Sequence, residues 1–104
     1  MTAYSLRIVV VPNEADEATF ESGALRAKTA QSLPQYADRC GPYGLAGWAE
    51  PRGHTLYYVD NCWVRARVRG SDIPAFFADV LNGEPTVGPE IAPDREYLIE
   101  AEEY

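Results

Sequence analysis

Residues 62–69 read Cys-Trp-Val-Arg-Ala-Arg-Val-Arg, and this alternation constrains the fold more than any other stretch. In an extended chain Val64, Ala66 and Val68 share one side, and Trp63, Arg65, Arg67 and Arg69 share the other. A helix would scatter both sets around its axis, so the segment predicts a strand. The stretch before it, His54–Asp60, is rich in aromatic and β-branched residues and predicts a second strand. A two-residue turn at Asp60-Asn61 joins them, because Asp and Asn tolerate the positive φ that such turns require. That register sets Val59 opposite Cys62, Tyr58 opposite Trp63, Tyr57 opposite Val64, Leu56 opposite Arg65 and His54 opposite Arg67. Thr55, Tyr57, Val59, Cys62, Val64, Ala66 and Val68 then form a core face. His54, Leu56, Tyr58, Trp63, Arg65, Arg67 and Arg69 form the outer one.

The remaining elements follow from the same reading. Residues 3–11, ended by Pro12, are a strand with Tyr4, Leu6, Ile8 and Val10 on one face. Ser5, Arg7, Val9 and Val11 lie on the other, and Arg7 marks it as the wetter. Asn13 caps a short acidic helix or opens a loop over 13–22. Residues 23–41 predict two helices broken near Pro34, the second capped by Ser32 and stopped by Gly41 and Pro42. The Gly- and Pro-rich stretch 42–53 reads as a loop, with "YGLAGWA" an irregular strand at most. Residues 71–82 form the clearest helix, with Ser71 or Asp72 as cap, Pro74 in the first turn and Gly83 after the end. Its apolar face is Ile73, Phe76, Phe77, Val80 and Leu81. A Pro-rich loop leads to a last strand over 95–104, where Tyr97, Ile99 and Ala101 suit the core. The order matches a ferredoxin-like βαββαβ sandwich, an α+β fold with one mostly antiparallel sheet and helices on one face. At 104 residues, a single domain spanning 1–104 is expected.

Three of the nine Lys and Arg residues lie on that one arginine-bearing strand, in a chain of net charge −7. Glu96, Glu100 and Glu102 alternate with Leu98 on the outer face of the last strand, so the sheet carries a basic and an acidic stripe. If the two strands are adjacent, the stripes neutralise each other. A ferredoxin-like order instead puts the first strand between them, bringing Arg7 near the glutamates and leaving more of the arginine stripe open to a partner.

Chemistry is sparse. Cys40 and Cys62 match no zinc or redox spacing and are expected as reduced thiols. A Cys–His pair would need one of them beside His54, with Asp60 to orient it, and the hairpin turns Cys62 away from His54. No nucleotide-binding glycine loop, calcium loop or zinc set is present, so no cofactor, metal or catalytic residue is assigned. The N-terminal apolar run is too short for a signal peptide and nothing approaches a membrane span, which points to a cytoplasmic protein; one Lys against eight Arg is a compositional hint of a bacterial one.

These features rank the functions. The leading reading is a non-catalytic acidic protein-interaction module, such as a small inhibitor or immunity protein that masks a basic partner surface. Its binding residues would be Tyr58, Trp63, Arg65, Arg67, Arg69, Glu96, Glu100 and Glu102, with steering from the acids at 14–21 and 96–103. A small-ligand-binding protein or enzyme of dimeric α+β type is the alternative, its pocket lined by Tyr36, Tyr43, Trp48, Tyr57 or Phe77 with Arg52 or His54 as polar handle. RNA binding through the Trp/Arg sheet face is a third, disfavoured by the overall negative charge.

Overall fold

The computed structural model describes residues 3–11, 30–32, 40–60, 62–82 and 91–103. Five strands form one antiparallel sheet: β1 (Tyr4–Val10), β2 (Ala30–Ser32), β3 (Thr55–Asp60), β4 (Trp63–Arg69) and β5 (Glu96–Glu103). Their order across the sheet is β2-β1-β5-β4-β3. Among the described residues, two helices complete the α+β architecture. The first, α1, spans Pro42–Ala49. The second, α2, starts at Ile73–Phe76 and continues as π-helical turns over Phe77–Leu81, preceded by a 3₁₀ turn at Gly70–Asp72. None of the helices among the described residues is long and apolar enough to cross a membrane.

The strand order departs from the ferredoxin-like arrangement. The last strand, not the first, lies beside β4, and β1 sits on its far side. All strand pairs are antiparallel. This placement brings opposite charges together. Arg7 of β1 and Arg65 of β4 both register against Glu100 of β5, so a central β5 gives one acidic residue two cationic neighbours.

Alternation sorts the side chains into two layers. On the helix side Leu6, Ile8, Val64, Ala66, Val68, Tyr97, Ile99 and Ala101 pack with Leu45, Trp48 and Ala49 of α1. Ile73, Phe76, Phe77 and Leu81 of α2 join the same cluster, as the apolar spacing predicts. Asn82 then closes α2 in the left-handed conformation, with φ 52°. Neither Ser71 nor Asp72 caps it through a side chain.

Three local expectations are corrected. The stretch "PYGLAGWA" is a helix rather than a loop or strand. Pro42 fits its first turn, and Leu45, Trp48 and Ala49, at i, i+3 and i+4, supply the buried stripe. Ser32 lies in the short strand β2, where its backbone registers with Arg7 of β1, and the helix it was expected to cap falls outside the described residues. The β3–β4 hairpin is shifted by one residue: Tyr57 faces Arg65, Tyr58 faces Val64 and Leu56 faces Ala66. A bulge between Tyr58 and Asp60 takes up the difference, so that Asp60 faces Trp63. A one-residue slip exchanges the faces of a strand. Leu56 therefore joins the helix-side core and Tyr57 goes to the opposite layer. The proposed turn at Asn61, the elements expected at 13–22, 23–29 and 33–39, and the loop at 83–90 fall outside the described residues.

Candidate functional site

Both described helices lie on one face of the sheet, as expected, but the opposite face is not open to solvent. Val9, Val11, Tyr57 and Leu98 form a second buried cluster there. Beside them Arg65 is 0% exposed and Glu100 1%. The side of β1 that carries Arg7 is thus enclosed rather than wet.

Register builds a row of alternating charge across this face, running Arg7, Glu100, Arg65 and Tyr57 on four successive strands. Arg65 Nε donates to Glu100 Oε2 at 2.7 Å, and Trp63 Nε1 donates to the same oxygen at 2.9 Å. Arg7 Nε lies 3.7 Å from Glu100 Oε1, and its Nη2 the same distance from Glu102, which makes ion pairs without hydrogen bonds. The Trp63 ring stands 5.0 Å from the Arg65 guanidinium and 5.8 Å from that of Arg7, so its π-face adds to their stabilisation. Removing these charges from water is costly, and the concentration of opposite charge and hydrogen bonds on Glu100 offsets that cost.

A second pair sits nearer the surface. Arg67 grips Glu96 with a two-pronged contact, Nε to Oε1 at 3.1 Å and Nη2 to Oε2 at 2.6 Å. Hydrogen bonding to Arg67 holds the Glu96 carboxyl below its ordinary range, and the same bond raises the Arg67 guanidinium further. Arg69 is exposed, and its Nη1 reaches the Asp94 carbonyl at 3.3 Å.

The residues singled out by sequence therefore separate. Trp63, Arg65 and Glu100 are enclosed together, with Glu102 half-buried at their margin. Tyr58 is 64% exposed, lies on the helix-side face and is not the cross-strand neighbour of Trp63. Arg67, Arg69 and Glu96 converge on a depression of about 330 Å³ at the start of β3, together with His54, Thr55 and Asp72. Gly53, at φ 79°, makes the turn that leads into it.

Next to the depression lies a clamp between α1 and α2. His54 stacks on Trp48 with 5.1 Å between ring centroids, and the Arg52 guanidinium lies 5.1 Å from the same indole. Arg52 also donates to the Trp48 carbonyl at 2.9 Å and to Asp79 at 3.0 Å, while Trp48 Nε1 donates to Asp79 at 3.3 Å. Asp79 and Asp72 were not among the sequence candidates. The spacing of Arg52, four residues after Trp48, is the only sequence signal for this cluster.

Candidate groups for a helix-side pocket do not converge. Trp48 and Phe77 are packed in the core, Tyr43 is 82% exposed, Tyr57 is on the other face, and Tyr36 is outside the described residues. Cys40 is buried and Cys62 exposed, and neither forms a disulfide among the described residues. Burial pushes the Cys40 thiol up to about 12, which suits a packing residue and not a nucleophile. No family model matches the chain, and neither a curated protein nor a solved structure is similar enough to match it.

Proposed function

We propose that this chain is a non-catalytic acidic module that binds another protein, with the outer edge of β3 as its docking line. The observation that carries this reading is the fate of the arginine run. Arg65 and Arg67 are engaged by Glu100 and Glu96, which leaves little of the stripe to attract a polyanion. RNA binding through this face loses its support for that reason.

The edge itself favours a protein partner. Among the described residues, β3 is the outermost strand and pairs only with β4. A strand in that position can accept an extended segment from another chain. Tyr58, exposed on this strand, belongs to the residue types that most often anchor interfaces. The net charge of −7 selects for a basic partner and would speed its encounter. An inhibitor of a basic protein is the concrete form of this reading, and a homodimer through the same edge is compatible with it.

A photo-crosslinking residue placed at Tyr58 in cells of the source organism tests the reading. One basic protein should be captured from that position and not from Gly47, which is exposed on α1. Capture should weaken as salt is raised. The same products from both positions, or none from position 58, would overturn it.

A further inference from the structure

We infer that the depression at the start of β3 is a binding site for a small zwitterion, of the class of free α-amino acids. The reasoning rests on which charges in it are already matched. Arg67 and Glu96 hold each other and contribute no net charge. Arg69 and Asp72 line the same concavity, and neither forms an ion pair with the other or with any described residue. Arg69 has one hydrogen bond, to a backbone carbonyl, and the remaining donors of its guanidinium are available. Asp72 is exposed and makes no side-chain cap for the helix it precedes.

Arg69 lies across from Glu96 and attracts it at longer range, but Arg67 holds that carboxylate. A cation and an anion that share a cavity, each without an ion pair, are complementary to a ligand that carries both signs. A ligand carboxylate would take the fork of Arg69, and a ligand ammonium would take Asp72. Donors and acceptors for further contacts stand on the same wall. The His54 ring nitrogens make no hydrogen bond among the described residues, and Thr55 is exposed. The volume, about 330 Å³, falls at the small end of ligand sites. A ligand with a single charge would leave either Arg69 or Asp72 without a partner. The negative field of the whole chain would not exclude a neutral zwitterion, whereas it opposes a plain anion.

Titration of the ¹⁵N-labelled full chain with each free amino acid in turn tests this site, with acetate and methylammonium as single-charge controls. At least one amino acid should shift the Gly53 and His54 amides saturably, with a midpoint of about 1 mM or lower. Arg69→Ala and Asp72→Ala should each weaken that midpoint by about tenfold or more. Both side chains are exposed, and retention of the wild-type spectrum elsewhere checks that the variants fold. Acetate and methylammonium should bind at least about tenfold less tightly than the amino acid. Absence of a saturable shift with any amino acid would overturn the assignment. So would acetate binding as tightly as the amino acid and unaffected by Asp72→Ala, because that result describes an anion site. Neither outcome bears on crosslinking from Tyr58, whose side chain lies on the opposite face of β3 from Thr55 and Tyr57.

Discussion

Arg65 and Glu100 face each other across β4 and β5, 2.7 Å apart, with both side chains fully enclosed. Glu100 also accepts from Trp63, so one carboxylate organises three side chains in a layer that otherwise holds Val9, Tyr57 and Leu98. Glu100→Ala removes from a buried layer the carboxylate to which Arg65 Nε and Trp63 Nε1 both donate. The expected loss is about 3–5 kcal/mol in a urea unfolding curve. The double variant Arg65→Met, Glu100→Leu should lose less than the sum of the two single changes, since apolar groups replace both halves of the pair. Additive losses would show that the two residues act separately.

The Arg67–Glu96 pair predicts acid sensitivity of a definite sign. Glu96 has its folded-state pKa lowered from the ordinary 4.5 by the hydrogen bond from Arg67. Its contribution is present above about 4.5 and is lost as pH falls through the lower folded value. Both groups are partly exposed, so the effect is modest. Unfolding midpoints measured from pH 7 downward should decline more steeply for the wild type than for Glu96→Gln in that window.

The two thiols should differ in reactivity. Iodoacetamide at pH 8 is expected to modify Cys62, which is exposed, and to spare Cys40 until the chain is unfolded. Cys40 also makes the fold alkali-sensitive. Its pKa rises from 9.0 to about 12 on folding, so its contribution is complete below 9.0 and lost as pH climbs towards 12. Mass spectrometry of the alkylated native protein, with and without urea, decides the first point.

Gly70 joins β4 to the turn before α2, and its amide donates to the Arg95 carbonyl at 2.8 Å. A Cβ at this position would overlap the backbone carbonyl of Ala92 and press against Ile91. Gly70→Ala should destabilise by at least about 1–3 kcal/mol, because backbone must move to admit one methyl group. Gly44→Ala, at an exposed helical position with open space around its Cβ, should instead be neutral or stabilising. Thermal unfolding of the two variants gives the comparison.

The strands were legible because alternation is a local property. Arg65, Arg67 and Arg69 shared a face in the sequence and share it in the sheet, and Tyr97, Ile99 and Ala101 entered the core as their spacing required. The register of β3 was not legible. Tyr57 and Tyr58 are the same residue type, so composition could not say which turns inward, and the bulge after Tyr58 leaves no mark on the pattern. In α1 the glycines and prolines obscured a short apolar stripe. Only the pairing of Leu45 with Trp48 and Ala49 could have revealed it. The complementarity of the arginine and glutamate stripes was visible, but their burial was not. Enclosure of Arg65 and Glu100 depends on what packs over the sheet, which no strand encodes by itself. The depression was invisible for a related reason: Asp72 and Glu96 come to line one concavity only because β5 lies beside β4.

That place gives β5 a temporal role. Residues 96–103 supply the strand that bridges β1 to the β3–β4 hairpin, so the two halves of the sheet stay unjoined until this segment arrives. The β3–β4 hairpin is local in sequence, whereas Glu100 must be brought to Arg7 and Arg65 across long stretches of chain. Such distant pairings make for slow assembly and a long exposure of unpaired strand edges. The glutamate that unites the sheet is thus one whose partners lie far from it along the chain.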